Sequence, residues 1–174
     1  VVEVYSQEHH VRLFQNGKLI GQKKKGNNPN GSYSFNIKYE PGLLEALSYD
    51  EKGTKTGYIS YKTAEREAHL ALLPEKEQVS VGETTYVHLQ FQDKNGLVKP
   101  LEDNEIEITS VAGGELIGLG NGCAYYQGNY HESKTVSHYG KALAIFRPNS
   151  EGTMVVKAKS KYGEVELSIP VTSK

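Results

Sequence analysis

The strongest constraint on the fold is an alternation of polar and apolar residues with a period of two. It runs through residues 32–39, 85–92 and 164–171. Successive side chains of a β-strand point to opposite faces, so this pattern is typical of a half-buried strand. Apolar residues spaced three and four apart, as an amphipathic helix requires, are almost absent. The sequence therefore predicts an all-β fold.

Turn-forming dipeptides separate the alternating segments. Asn16-Gly17 follows an apolar run and is the strongest hairpin signal, because both residue types tolerate a positive φ. Turn signals recur about every 8 to 12 residues, a spacing typical of β-sandwiches. We therefore predict two tandem β-sandwich domains of the fibronectin or immunoglobulin-like (Ig-like) kind. The predicted strands are 2–6, 11–15, 18–23, 32–39, 43–49, 55–63, 69–73, 78–81, 84–92, 104–110, 115–119, 141–147, 153–160 and 164–171.

A polar segment divides the predicted strands into two sets. Residues 62–68 carry both charge signs and lack alternation. Residues 1–66 hold 10 basic and 7 acidic groups, whereas residues 67–174 hold 10 and 14. We expect a small β-sandwich domain over residues 1–66 and a larger C-terminal Ig-like β-sandwich domain over residues 67–174.

Composition argues against several classes of protein and partner. The chain has 20 basic and 21 acidic residues, so it lacks the positive surplus that nucleic-acid binding needs. No apolar run approaches the roughly 20 residues of a membrane-spanning helix. The single cysteine, Cys123, cannot close an intramolecular disulfide. The chain begins at Val1 without a signal peptide, so we expect a piece of a longer protein, and the sequence does not indicate whether that protein is cytoplasmic or exported.

Motifs for catalysis and cofactor binding are missing from the sequence. It contains no G-x-S-x-G, H-E-x-x-H, phosphate-binding P-loop or C-x-x-C. The glycines of residues 118–122 are not followed by a helix, so we interpret them as a tight turn or bulge rather than a phosphate site. His131, Glu132 and His138 fit no standard metal spacing and are interpreted as solvated loop residues. No catalytic residue, metal or cofactor is predicted.

Tyrosines are concentrated in one long segment without periodicity, residues 123–139. Tyr125, Tyr126, Tyr130 and Tyr139 lie in or at the end of this predicted loop. Exposed aromatic rings can stack on sugars, which makes the four tyrosines candidate carbohydrate-binding residues. A tyrosine is equally suited to a protein interface, where its ring packs against the partner and its hydroxyl stays in contact with water. Interface packing is the favoured interpretation of these four residues.

The alternation also predicts which side chains form the core. Phe91→Ala and Leu143→Ala are both expected to lower the melting temperature sharply. His9 and His10 fall in a predicted turn and are expected to be exposed. The predicted core is Val4, Leu13, Phe35, Ile37, Leu47, Val87, Leu89, Phe91, Ile106, Ile108, Leu143, Ile145, Val156, Leu167 and Ile169.

Several segments carry a resemblance to a known family. In the first half these are residues 2–6, 11–21 (VRLFQNGKLIG), 39–46 and 48–50, and in the second half residues 93–100 (DKNGLVKP), 114–122 (GELIGLGNG) and 139–145. In this order they resemble the module that follows the catalytic barrel, and then the C-terminal Ig-like domain, of bacterial β-galactosidases of glycoside hydrolase family 2. The resemblance covers essentially the whole chain.

The resemblance implies a parent chain that hydrolyses terminal β-galactosides with two glutamates of a (β/α)₈ barrel. No acidic residue of this chain matches either glutamate, so the resemblance implies a non-catalytic fragment in which residues 1–66 form an accessory domain. Its implied partner is the catalytic barrel of the parent chain. Two other functions stay open, because a fold does not fix a function. They are a carbohydrate-binding module that uses the tyrosine-rich loop and an Ig-like repeat of a bacterial surface adhesin.

Overall fold

The computed structural model describes residues 1–26 and 30–173. These residues form fifteen β-strands and no helix, so the predicted all-β class is confirmed. The described residues include no helix of the length and hydrophobicity that crossing a bilayer requires. The chain divides into two compact units, Val1–Thr63 and Ala64–Lys174.

The described residues of the first unit form six strands in two layers. They are β1 (Val2–Tyr5), β2 (His10–Gln15), β3 (Lys18–Lys24), β4 (Ser32–Phe35), β5 (Leu43–Tyr49) and β6 (Lys55–Lys62). β1 pairs with β4, and the other four form an antiparallel sheet in the order β3-β2-β5-β6. The buried core between the two layers consists of Val11, Leu13, Tyr33, Phe35 and Ala46.

The β2–β3 hairpin has the turn that its sequence predicts. Asn16 and Gly17 have φ angles of 52° and 77°. Two successive positive φ values match the right-handed twist of the flanking strands, and Asn-Gly adopts them at little steric cost. The Asn16 side chain also accepts the N–H of Leu43 at 2.8 Å and donates to the carbonyl of Pro41 at 3.1 Å. The predicted hairpin is confirmed.

The second unit is a larger sandwich of nine strands. They are β7 (His69–Pro74), β8 (Val79–Ser80), β9 (Thr85–Gln92), β10 (Glu105–Ala112), β11 (Gly114–Gly120), β12 (Lys134–Val136), β13 (Lys141–Pro148), β14 (Gly152–Ser160) and β15 (Gly163–Thr172). One sheet has the order β12-β10-β14-β15-β8 and the other β11-β13-β9-β7. The sixteen buried hydrophobic residues of its core are Leu70, Val79, Val87, Leu89, Phe91, Ile106, Ile108, Leu119, Ala142, Ala144, Phe146, Met154, Val156, Ala158, Ile169 and Val171.

A buried carboxylate fixes the start of the second unit. Asp93 is fully buried, and its oxygens accept the backbone N–H groups of Glu65 at 2.8 Å, Asn95 at 2.8 Å and Leu97 at 3.0 Å. The hydrogen bond from the Glu65 N–H contributes most to lowering the pKa of Asp93. Hydrogen bonds to the ionised form favour it over the protonated acid.

The predicted buried face of β13 is wrong. Leu143 and Ile145 lie half-buried on the outer face of their sheet, while Ala142, Ala144 and Phe146 are buried. Both faces of this strand are rich in apolar residues, so alternation locates the strand without showing which face is inside. Leu47 is also only half-buried and lies outside the core cluster. The predicted core residues Val4, Ile37 and Leu167 are partly buried and pack against the cores.

Three local expectations are also wrong. The strand predicted over residues 32–39 ends at Phe35. The segment 123–139, predicted to be loop throughout, contains β12, which pairs with β10 from Glu105↔Val136 to Glu107↔Lys134. His10 is buried rather than exposed, with its ring stacked on Tyr49 at a centroid distance of 4.7 Å.

Candidate functional site

The tyrosine-rich segment connects β11 to β13 and lies entirely in the second unit. Asn121 fixes its start: the Asn121 side chain donates to the carbonyl of Val136 at 2.6 Å and accepts the N–H of Cys123 at 2.9 Å. The preceding glycines belong to β11, which has a register shift between Leu116 and Gly118 against β13. Of the glycines interpreted as a turn or bulge, only Gly118 borders this register shift, whereas Gly120 pairs regularly with Leu143 and Gly122 follows the end of the strand.

Tyr126 and Tyr130 contact each other and support the loop. Their ring centroids are 4.9 Å apart with the planes tilted by 47°. The Tyr126 hydroxyl lies 3.1 Å from Oγ1 of Thr135 in β12. Tyr130 lies over Gly120, where an added Cβ would meet its ring at 2.5 Å, so a side chain at position 120 would displace the ring. Both rings therefore make packing contacts within the loop and its flanking strands.

Tyr125 is the most exposed of the four tyrosines and faces an open cavity. Its exposed fraction is 88%, and with Tyr126 it lines a cavity of about 580 Å³. Polar groups suited to hydrogen-bond hydroxyls line the same cavity, among them Asp103, Glu105 and Asn121. A flat ring beside such groups can stack on one face of a sugar while polar atoms bind its edge.

Tyr139 lies in a separate place, at the tip of a two-residue turn. Tyr139 and Gly140 have φ angles of 50° and 72°, and His138 and Lys141 exchange backbone hydrogen bonds of 2.8 and 3.1 Å. The exposed ring packs on His138 at a centroid distance of 4.4 Å. Tyr139 lines a second cavity, of about 500 Å³, together with Val98 and Lys141. The four tyrosines therefore do not form one platform.

The polar residues that share the cavity with Tyr125 could not be found by scanning for local motifs. Asp103 and Glu105 lie about 20 residues earlier in the chain, and pairing of β10 with β12 brings Glu105 opposite Val136. Glu105 also lies 3.7 Å from the Lys134 ammonium. The alternation of β10 was the available signal, but it did not indicate which loop would lie beside that strand.

Charge at this end of the unit is balanced by a network around Glu102. The Lys161 ammonium donates to the Glu102 carboxylate at 2.9 Å and contributes most to lowering its pKa. The Tyr162 hydroxyl and the Asn104 amide donate to the same carboxylate at 2.8 and 2.7 Å. Over the described part of the chain, no group of three or more His, Cys, Asp or Glu side chains is placed to hold a metal ion.

The fold therefore places this protein in the all-β class. Its second unit is a β-sandwich with a tyrosine-rich loop between β11 and β13. Residues 70–166 match the family described as glycoside hydrolase family 2 C-terminal domain 5, and the chain belongs to that family. Residues 1–57 match a domain of unknown function (DUF4982).

Several bacterial glycosidases are similar to this chain. The β-galactosidase BoGH2A of Bacteroides ovatus is 27% identical over 145 residues, which is 82% of this chain and 17% of that protein. A solved β-glycosidase from Bacteroides vulgatus has a TM-score of 0.82 at 25% identity, over 97% of this chain and 22% of its own. A family 2 glycosyl hydrolase from Bacteroides cellulosilyticus has a TM-score of 0.89 at 23% identity and covers 96% and 23%. The chain thus spans about a fifth of the length of these relatives.

Proposed function

We propose that this chain is a non-catalytic C-terminal portion of a bacterial family 2 glycosidase of the β-galactosidase type. The observation that carries the proposal is the match to BoGH2A, which extends over 82% of this chain but only 17% of that enzyme. A segment of this kind acts by packing against or extending the part of the enzyme that holds the reacting groups. The partner in the proposal is therefore the catalytic barrel of the same protein.

The domain assignment belongs to the same proposal. Residues 1–66 form the small accessory sandwich and residues 67–174 the C-terminal Ig-like domain. Support comes from the two compact units of the chain, Val1–Thr63 and Ala64–Lys174. Each unit has its own buried hydrophobic cluster, which is the physical mark of a domain.

A chromogenic β-galactoside tests the non-catalytic assignment. The purified chain of 174 residues is expected to release no chromophore above the buffer rate. Turnover that persists through repurification, at constant specific activity, contradicts the proposal. The supporting role is tested in the full-length enzyme by deleting residues 67–174. We expect a lower melting temperature of the catalytic part, and an unchanged value there contradicts packing against it.

Glycan contact is a second candidate, supported by the exposure of Tyr125 beside the polar lining of its cavity. In this proposal the four tyrosines differ in role: Tyr125 stacks on the sugar, Tyr126 and Tyr130 hold the loop, and Tyr139 contributes from the neighbouring cavity. Calorimetric titration with galactosides is the measurement. Loss of binding heat in Tyr125→Ala would support the proposal.

Tyr39→Ala is the matched control for that titration, because Tyr39 is 70% exposed and lies in the first unit. Binding that survives Tyr125→Ala, or that Tyr39→Ala removes equally, contradicts the role of Tyr125. Absence of binding heat across galactosides contradicts the glycan proposal as a whole and leaves the accessory role unaffected.

A further inference from the structure

One edge of β1 in the first unit has no partner strand among the described residues. β4 pairs with the other edge, from Val2↔Phe35 to Tyr5↔Ser32, and the N–H of Ser6 continues the ladder to the carbonyl of Gly31 at 2.8 Å. Backbone groups alternate in direction along an antiparallel pair. The N–H and C=O groups of Glu3 and Tyr5 therefore point away from β4, as a template for another strand.

An apolar groove lies directly beside this free edge. Its volume is about 270 Å³, and its lining includes Val2, Val4, Leu44, Ala46, Ile59 and Tyr61. No residue of β4 lines it, which places the groove on the unpaired side of β1.

The floor of the groove is an inward sheet face that the described residues of the first unit leave partly uncovered. Ile59 and Tyr61 of β6 pair with Ala46 and Leu44 of β5, and directly paired residues share one face of a sheet. Ala46 is buried in the core, so this face points inward. Nevertheless Ile59 is 50% exposed and Tyr61 is 68% exposed.

The strand order explains the gap. An Ig-like sandwich has the sheets A-B-E-D and C-F-G, and a C′ strand is added beside C in variable-type domains. The order β1-β4 opposite β3-β2-β5-β6 corresponds to B-E opposite C′-C-F-G. The place of strand A, beside B and opposite F and G, coincides with the groove.

We propose that the groove is a docking site for one extended strand, which pairs with the free edge of β1 and covers Ile59 and Tyr61 with alternate apolar side chains. We assign the strand to another part of the same longer polypeptide, and this assignment of its source rests on the proposed function. About four-fifths of the length of the similar proteins lies outside the region that matches this chain. A longer polypeptide of this kind has enough additional chain to supply the docked strand. We expect the docked strand to have an apolar residue at every second position, because a β-strand is pleated and only every second side chain would face the groove.

A fusion tests the groove without reference to its natural occupant. A strand of alternating threonine and valine is joined to Val1 through an Asn-Gly turn, and amide hydrogen exchange is followed by NMR. We expect exchange at the Glu3 and Tyr5 amides to slow by at least about tenfold, because both would become hydrogen-bonded. The matched control replaces each valine of the fused strand by aspartate and is expected to leave both rates unchanged.

Ile59→Asp in the valine fusion completes this test, because Ile59 is half-exposed and lies outside the buried cluster of the first unit. We expect fast exchange to return at Glu3 and Tyr5. If the valine strand protects no more than the aspartate strand, or if protection survives Ile59→Asp, the groove is not a strand-docking site.

The source of the strand is tested in the full-length protein. Both amides are expected to exchange slowly there and quickly in the chain of 174 residues. Fast exchange in the full-length protein overturns the assignment. Slow exchange in a self-associated chain of 174 residues, identified by sedimentation, assigns the groove to a second copy and also overturns it. Turnover of a galactoside by this chain would contradict the proposed function while leaving the exchange results of the fusion unaffected.

Discussion

The two units bury very different amounts of hydrophobic surface. Among the described residues, sixteen buried hydrophobic side chains form the core of the second unit and five form that of the first. The second unit closes its core between sheets of five and four strands, whereas the first covers a four-stranded sheet with only two strands. Burying a large aliphatic side chain contributes roughly 1.5–3 kcal/mol. The difference teaches that strand content alone does not set the size of a core, because a core grows only where two sheets cover each other.

The largest expected effect is in the second unit, from Phe91→Ala. Phe91 is fully buried and packs edge-on against Tyr162 at a centroid distance of 5.7 Å. Its removal leaves a cavity in a closed core, and we expect a loss of about 3–5 kcal/mol of unfolding free energy. Urea denaturation followed by circular dichroism measures it.

Leu143→Ala is the comparison for that experiment, because Leu143 lies half-buried on the outer face of β13. We expect it to reduce the unfolding free energy by less than half as much as Phe91→Ala. Equal losses would show that the outer face of this sheet is buried and would contradict the orientation of β13.

Leu13→Ala tests the core of the first unit, where Leu13 is 1% exposed and also borders the groove beside β1. Neighbours of an open groove can relax into the vacated space, so we expect a smaller loss, about 2–3 kcal/mol. Calorimetry measures this loss, and we expect only the unfolding transition of the first unit to move to lower temperature. Leu19→Ala, at a position that is 50% exposed, is the matched control and should leave that transition in place.

Asp93→Ala tests the buried carboxylate of the second unit. The change leaves three backbone N–H groups without their acceptor, and we expect a loss of about 1–3 kcal/mol. The pKa of Asp93 is lowered in the folded chain. As the pH falls, Asp93 is therefore protonated in the unfolded chain before it is protonated in the folded chain. Stability in the wild-type chain therefore falls as the pH drops below about 3.9, the usual pKa of an aspartate. A wild-type and an Asp93→Ala chain with equal acid sensitivity would contradict this account.

The smallest expected effect is the pH dependence of the first unit through His10. Its Nε2 has no hydrogen-bond partner in the described structure, and burial, followed by the charge of Arg12, lowers its pKa. The unfolded state, with a histidine pKa near 6.5, then binds the proton first. Stability of the first unit should fall as the pH drops through about 6.5 and level off below the folded pKa.

Calorimetry between pH 8 and 5 measures this effect, with His10→Phe as the control. Phenylalanine can keep the stacking on Tyr49 but does not titrate, so the pH dependence of the first transition should flatten. If the transition of the first unit shifts equally in both chains, the titrating group is another residue.

Local sequence patterns predicted most strands, but they did not predict which segments lie beside each strand in the fold. Segment 85–92 forms β9 and the Asn16-Gly17 turn forms, because alternation and positive φ are properties of neighbouring residues. β12 was missed because a strand of three residues carries too little pattern and forms only through pairing with β10. The four tyrosines share one segment of the sequence, yet Tyr125 and Tyr139 line separate cavities.

The sequence by itself determined the all-β class, the hairpin turns and the segments that resemble family 2 β-galactosidases, since all of these depend on residues close together in the chain. Only the tertiary structure decided that Phe146, and not Leu143, faces the core, and that Ile59 and Tyr61 lie uncovered beside β1. Which face of a strand is buried, and what covers it, depends on side chains that are distant in sequence. Burial energy acts between those distant surfaces, so a local pattern cannot contain it.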